Sequence, residues 1–296
     1  MTPLLVGVAA DLCLGDPRWL PHPVVGIGKL AAGLEKRAAR TKPAGALVWL
    51  GVVGVTSSVV WWTCEVQPWA AVYWIYSFLA VRSLDDHALA VMRALRDGDL
   101  AKARTAVSLI VGRETAGLEE REVARAALET VAENLNDGVI APLFWFGVGG
   151  PAAMAGYKAI NTMDSMFGYR NDKYRDFGWC AARMDDVASW IPARITAALI
   201  WLVAALVPGM DARASVRCTL RDAHRQPSPN SGYPEAAAAG ALGIQLGGLN
   251  RYPGGIVSKK ELLGDNRRPL DWQAYQQMRI LLYGVTLLAV AGLQWR

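Results

Sequence analysis

Residues 46–64 read ALVWLGVVGVTSSVVWWTC, and their interpretation decides the fold. This uncharged run of about 19 residues, coiled at about 1.5 Å per residue, matches the ~30 Å hydrocarbon core of a bilayer. A transmembrane helix is the expectation. After Glu65, residues 66–81 form a second uncharged stretch rich in Trp and Tyr, expected as the returning arm of a hairpin with its rings at the membrane interface. Lys36, Arg37, Arg40 and Lys42 precede the pair, and Arg82, Arg93 and Arg96 follow it. Positive charge accumulates on the cytoplasmic side, so both flanks are expected inside and the Glu65 turn outside.

The composition agrees. Of 296 residues, 53% are hydrophobic and 19% charged, and the mean hydropathy is +0.19, which is more apolar than a soluble domain of ordinary make-up. No Ser/Gly-rich or Pro-rich linker separates two halves and no repeat is visible, so residues 1–296 are taken as one domain. The net charge of +5 arises from 31 basic and 26 acidic side chains scattered along polar segments. That balance suits an anionic membrane face or a phosphorylated substrate and argues only weakly for nucleic acid, which is not expected as a partner. Cys13, Cys64, Cys180 and Cys218 lie far apart with no CxxC pair, which indicates isolated packing thiols. The N-terminus lacks a basic region before its short apolar run, and Asp11 interrupts that run, so a cleaved signal is not expected.

Three further apolar stretches cover residues 139–157, 195–210 and 280–295. The first carries Pro142, Pro151 and several glycines and is expected as a broken or re-entrant element. The last, ending at Trp295 and Arg296, reads as a C-terminal spanning helix. Between them, residues 118–137 have the clearest helical period: Ala124, Ala127, Leu128, Val131 and Leu135 form a stripe, Glu119, Glu120 and Glu122 fill the first turn, and Gly138 stops it. No alternating strand pattern of comparable strength appears. The expected fold class is all-α, a multi-pass helical integral membrane protein with polar helices on its cytoplasmic side.

Opposite that stripe, Arg125, Glu129, Glu133 and Asn136 share a face, followed by Asp137. Carboxylates one turn apart can hold magnesium or accept a proton; the same spacing also describes a solvated face with an Arg125–Glu129 ion pair. The segment runs on into ENLNDGVIAPLF at membrane depth, where ionisable groups are costly and tend to serve a function. In YKAINTMDSMFGY, Lys158, Asn161 and Ser165 share a face with Asp164 beside it, a set suited to a phosphate or carboxylate; a snorkelling lysine is the plainer alternative. ARMDDVASWIPAR presents Asp185 and Asp186 between Arg183 and Arg194, with Asp186 and Arg194 on one side and a kink expected at Pro192. A magnesium–diphosphate site and a structural Asp–Arg pair both fit.

In RDAHRQPSPNSGYPEAAAAGALGIQLGG a loop holding His224 and Asn230 leads into a helix begun by Pro234 and Glu235, whose N-terminus could receive an anion. Gly243 and Gly247 form a GxxxG pair, read as helix packing. Near the start, GDPRWLPHPVVGIG sets Asp16 and His22 in a proline-rich loop, and RSLDDHA offers Arg82, Asp85, Asp86 and His87. Neither GxxxxGK[ST] nor a strand-bound GxGxxG occurs, so a P-loop or Rossmann site is not claimed.

Together with RSL and VGRET, these blocks resemble the CobD/CbiB family in order and wording from Gly15 to Gly248. Small departures are Ser189, where the family commonly has Asn, and Met163, where it has Leu. The resemblance implies a cell-membrane enzyme, an acid–amine ligase of cobalamin biosynthesis. It would join aminopropanol or its O-phosphate to the f propionate of adenosylcobyric acid, giving adenosylcobinamide or its phosphate, with ATP and Mg²⁺ assisting. Other corrinoid-pathway enzymes would be its partners. On that footing Glu129, Glu133, Asp137, Asp186 and His224 are the expected catalytic residues, and Glu129, Glu133, Asp185 and Asp186 the expected metal ligands. Lys158, Asn161, Asp164, Arg183, Arg194, Asn230 and Glu235 are expected to bind substrate or phosphate. A lipid-linked prenyl- or alcohol-phosphotransferase is a second reading, but its two separated aspartate motifs are not reproduced. A corrinoid transporter or scaffold is a third, and the paired inverted segments of a transporter are not seen.

Overall fold

The computed structural model describes residues 2–17, 19–169, 171–252 and 255–294; Arg18, Trp295 and Arg296, which figured in the sequence reading, lie outside them. Helices dominate. In chain order they are α1 (Pro3–Leu14), α2 (Pro23–Glu35), α3 (Lys42–Val66), α4 (Ala70–Phe78), α5 (Val81–Arg96), α6 (Leu100–Ser108) and α7 (Glu120–Leu135). A π turn (Asn136–Ile140) leads into α8 (Ala141–Phe167), followed by α9 (Trp179–Ala188), α10 (Trp190–Leu206), α11 (Ala212–Asp222) and α12 (Gly232–Leu242). An antiparallel hairpin, β1 (Leu246–Tyr252) and β2 (Ile256–Leu263), then precedes α13 (Trp272–Gln294).

The protein is a multi-pass helical membrane protein. Among the described residues three helical runs are long and apolar enough to cross a membrane: Lys42–Val66, Glu120–Phe167 and Trp272–Gln294. A fourth is possible if α9 and α10, bent by 41°, act as one span. The returning hairpin arm expected over residues 66–81 is corrected. There α4 has 9 residues, a reach of about 14 Å against the ~30 Å needed, so the argument placing both flanks of α3 on one side falls with it.

The expected break near Pro151 is present. Gly149 and Gly150 leave the helical region inside α8, Gly150 at φ 65° and ψ −159°, a conformation open almost only to glycine. The kink expected at Pro192 falls instead at Ser189, between α9 and α10. Pro192 lies in the first turn of α10, where a missing N–H costs nothing. The Gly243–Gly247 pair is also corrected: Gly243 ends α12 in the left-handed region and Gly247 belongs to β1 at φ 85°, where a Cβ would collide with the Glu261 carbonyl.

Contacts divide the chain into two compact units, one of residues Met1–Arg82, Asp137–Pro192 and Leu293–Arg296, the other of Ser83–Asn136 and Ala193–Gly292. In the first, α8 packs on α3 and α9, and α1 on α4. Tyr157 is buried with Ala141 and Ala188, flanked by Trp145 and Ile160, and the Trp145 indole N–H donates to the Ala188 carbonyl at 3.1 Å. Asp11, buried within α1, accepts from the Val81 backbone N–H at 3.1 Å, which holds the start of α5.

In the second unit α12, buried along its whole length, packs on α11, α7 and the hairpin. Buried Asp85 of α5 accepts from the hydroxyls of Tyr275 at 2.6 Å and Tyr283 at 2.7 Å and from Arg279 at 2.8 Å. It thereby ties α5 to α13. Helix α7 begins in a capping box between Glu119 and Glu122, as its acidic first turn foretold.

Candidate functional site

The expected site residues fall into two groups, one in each unit. In the first unit the loop after α1, the π turn, α8 and α9 bring aspartates around one lysine. The charges of Asp137, Asp16 and Asp185 all act on the Lys158 ammonium. Asp185 in turn feels Asp137, Asp164 and Asp186, and accepts from the Asn161 amide at 3.4 Å. The Tyr157 hydroxyl meets Ser189 Oγ at 3.2 Å and reaches Asp137. Arg183 pairs with Asp186 at 3.7 Å, one turn apart. Lys158, half-buried among carboxylates, is therefore not simply a headgroup anchor.

Two cavities flank these residues. One, of about 650 Å³, is lined by Asp16, His22, Lys29, Tyr73, Trp74 and Tyr76 among others. His22 caps α2, its Nδ1 accepting from the Val24 N–H at 3.2 Å, which leaves the ring proton on Nε2, 3.4 Å from Asp16. The other, of about 670 Å³, holds Arg183 and Asp186 near Tyr174 and Trp179. Asp16 was noted in the sequence without a role; its signal was the polar loop directly after an apolar helix.

The second unit holds Glu129, Glu133, His224, Arg194, Asn230 and Glu235. Glu129, 1% exposed, accepts from Arg113 at 2.6 Å, Arg125 at 3.1 Å and the Gly247 backbone N–H at 2.7 Å. Arg125 also donates to the Gly247 and Leu249 carbonyls at 2.7 and 3.0 Å. The Glu129 carboxylate is thus fully used in fixing β1 to α7, and the face expected to carry chemistry is buried against a hairpin. Arg194 lies 4.0 Å over the Tyr233 ring and 3.5 Å from Asn230 Oδ1. His224 is exposed on a short turn, Ala223–Arg225.

Glu235 is 0% exposed. Among the described residues its carboxylate accepts no hydrogen bond and lies 3.5 Å from Lys260 Nζ. Burial, opposed by Lys260 and reinforced by Glu133 and Glu129, pushes its acid constant up to about 8. Burial works against the charge on Lys260, yet Glu235, Glu133 and Glu129 together hold its ammonium above the ordinary lysine value. Arg113 and Lys260 had no role in the sequence reading; their partners lie 16 and 25 positions away or more.

Of the four expected metal ligands, Glu129 and Glu133 belong to one unit and Asp185 and Asp186 to the other. Among the described residues no group of three or more His, Cys, Asp or Glu could hold a metal ion. Magnesium carried by phosphates asks the protein for only one or two carboxylates, and Asp137 and Asp185 meet that smaller demand.

The family model described as CobD/Cbib protein matches residues 4–282. The chain is 47% identical to "Cobalamin biosynthesis protein CobD" of Pelobacter propionicus, covering 99% of this chain and 94% of that one. It is 49% identical to the Geobacter metallireducens protein of the same name, over 97% and 93%. With "Cobalamin biosynthesis protein CbiB" of Salmonella paratyphi A it shares 43% identity over 95% and 92%. No solved structure matches. Helical membrane architecture, the family match across most of the chain and relatives similar over nearly their whole length agree: this chain belongs to the CobD/CbiB family of cobalamin biosynthesis proteins.

Proposed function

We propose that the protein is a cell-membrane acid–amine ligase that joins aminopropanol or its O-phosphate to the f propionate of adenosylcobyric acid, with ATP as the activating co-substrate. The observation that supports this is the convergence of Asp16, Asp137 and Asp185 on Lys158. Asp164 and Asp186 act in turn on Asp185. Carboxylates gathered in this way suit a cationic reactant, here the ammonium group of the amino alcohol, and the lysine among them suits an anionic one.

Carboxylate oxygen is a poor leaving group, so the acid must first be activated. Transfer of the terminal phosphoryl group of ATP to the propionate gives an acyl phosphate and releases ADP; the free amine then attacks, the C–N bond forms and phosphate leaves. Lys158 would hold the propionate. Asp185, oriented by Asn161, would take the amine proton, with Asp137 beside it. Arg183 would receive the phosphate of aminopropanol phosphate in its own cavity. Magnesium on the nucleotide, met by Asp137 and Asp185, would neutralise phosphate charge. The wall of Tyr73, Trp74 and Tyr76 suits one edge of the corrin ring.

Purified protein in detergent, given adenosylcobyric acid, aminopropanol phosphate and ATP, is expected to release the coupled corrinoid. Lys158→Ala and Asp185→Asn are each expected to lower turnover about 10²-fold or more. If both variants fold and keep near-normal rates, the site is misplaced. Corrinoid binding without any turnover favours a scaffold.

A further inference from the structure

A third cavity, of about 680 Å³, lies wholly in the second unit and outside the groups described above. Four arginines line it from separate stretches of chain: Arg96 at the end of α5, Arg121 in the first turn of α7, and Arg267 and Arg268 in the loop before α13. Two carboxylates also line it, Glu120 and Asp271. Asp271 is engaged in capping α13, accepting from the Ala274 N–H at 2.9 Å.

Two of the arginines, Arg121 and Arg268, have no carboxylate partner among the described residues. Among the described residues Arg121 donates to Asn266 Oδ1 at 3.0 Å, and Arg268 to the Gly209 carbonyl at 3.0 Å and Gln277 Oε1 at 3.3 Å. All three acceptors are uncharged. Arg267 meets Asp211 at 3.4 Å and Asp265 at 4.0 Å, and Arg96 meets Asp97 at 3.8 Å, solvent-exposed pairs that contribute little. Arg96 also lies 4.2 Å over the Trp272 ring, which holds its guanidinium plane in place.

A cavity of several hundred Å³ into which Arg121 and Arg268 converge with only uncharged partners is suited to a phosphate-bearing anion. We propose that this cavity binds such an anion, its phosphate oxygens held by Arg121, Arg267 and Arg268. Two sources share that chemistry: a soluble polyphosphate ester, and the headgroup of an anionic lipid, since Trp272 begins a helix able to span a membrane. The cavity belongs to the second unit and does not rest on the ligase reading.

The test is direct binding to the whole protein in an uncharged maltoside detergent. Inorganic tripolyphosphate is titrated by calorimetry, and phosphatidylglycerol retention is followed by native mass spectrometry. Proteins compared are wild type, Arg121→Ala, Arg268→Ala and the charge reversal Arg268→Glu, each checked for an unchanged unfolding temperature. Tenfold or greater weakening of tripolyphosphate binding in the variants, with weaker binding of wild type at higher salt, assigns a soluble phosphate. The same dependence seen only for phosphatidylglycerol assigns a lipid. Binding of both anions that is absent in wild type, or equal in wild type and Arg268→Glu, overturns the proposal. Because binding rather than turnover is read, failure here leaves the ligase reading untouched, and the converse holds.

Discussion

Glu129→Ala is the perturbation that most directly separates structural from chemical use of the α7 carboxylates. In the folded protein Glu129 balances Arg113 and Arg125, whose side chains are 8% and 9% exposed, and receives the Gly247 N–H. Removing it strands two buried guanidinium groups and one backbone donor. Breaking a buried ion pair by deleting one partner costs about 3–5 kcal/mol. For a chain of this size that corresponds to a fall in unfolding temperature on the order of 10 °C. Glu129→Gln keeps an acceptor oxygen but loses the charge, and is expected to fall between the two. The measurements are tryptophan-monitored unfolding in detergent and hydrogen exchange across residues 246–263, where protection should drop most because β1 is what Glu129 fixes. A Glu129→Gln protein with unchanged unfolding and unchanged hairpin protection, yet with turnover abolished, would refute this account and return Glu129 to the chemistry.

Further expectations concern pH, backbone strain and a helix clamp. Glu235 has its folded-state acid constant raised from 4.5 to about 8, so the folded protein binds the extra proton between those values. Its contribution to stability is fully present below pH 4.5 and is lost as pH rises toward 8. The stability of Glu235→Gln should therefore decline less than that of wild type across this window, and parallel profiles would show that Glu235 is not held protonated. Gly150→Ala places a side chain at φ 65° and ψ −159° with open space around it. The cost, about 1–3 kcal/mol, is then purely that of the backbone, and a neutral result in an unfolding assay would mean the break in α8 is absent. Tyr275→Phe removes the 2.6 Å bond to buried Asp85 and should cost about 1.5–3 kcal/mol, read as a lowered denaturant midpoint.

The spanning helices were legible because an uncharged run and its length are local properties: residues 46–64 sit inside α3, and residues 280–294 inside α13. The break in α8 was legible because Gly and Pro report backbone geometry directly. The hairpin was not. Its strands carry Gly247 and Gly248 and no regular apolar alternation, and β1 is anchored by Arg125 and Glu129 more than 110 residues earlier. A turn signal did stand in the sequence, Pro253, Gly254 and Gly255 before Ile256 and Val257, but helical small residues just upstream drew the reading toward a continued helix.

A π turn interrupts the carboxylate series that begins in α7. Glu129, Glu133 and Asp137 are spaced by four, so a helix continued at 100° per residue carries all three on one face. Residues Asn136–Ile140 instead form i→i+5 bonds, a wider turn that advances less about the axis for each residue. Asp137 is the second residue of that turn. It joins Lys158, Asp185 and Tyr157, while Glu133 stays with Glu235 and Lys260. Carboxylates four residues apart in sequence thus act on different groups, Asp137 on Lys158 and Glu133 on Glu235. Where the wide turn begins also makes physical sense: Thr196 donates to Asn136 Oδ1 at 3.1 Å in a buried contact, which gives the side chain at the start of the turn a partner of its own.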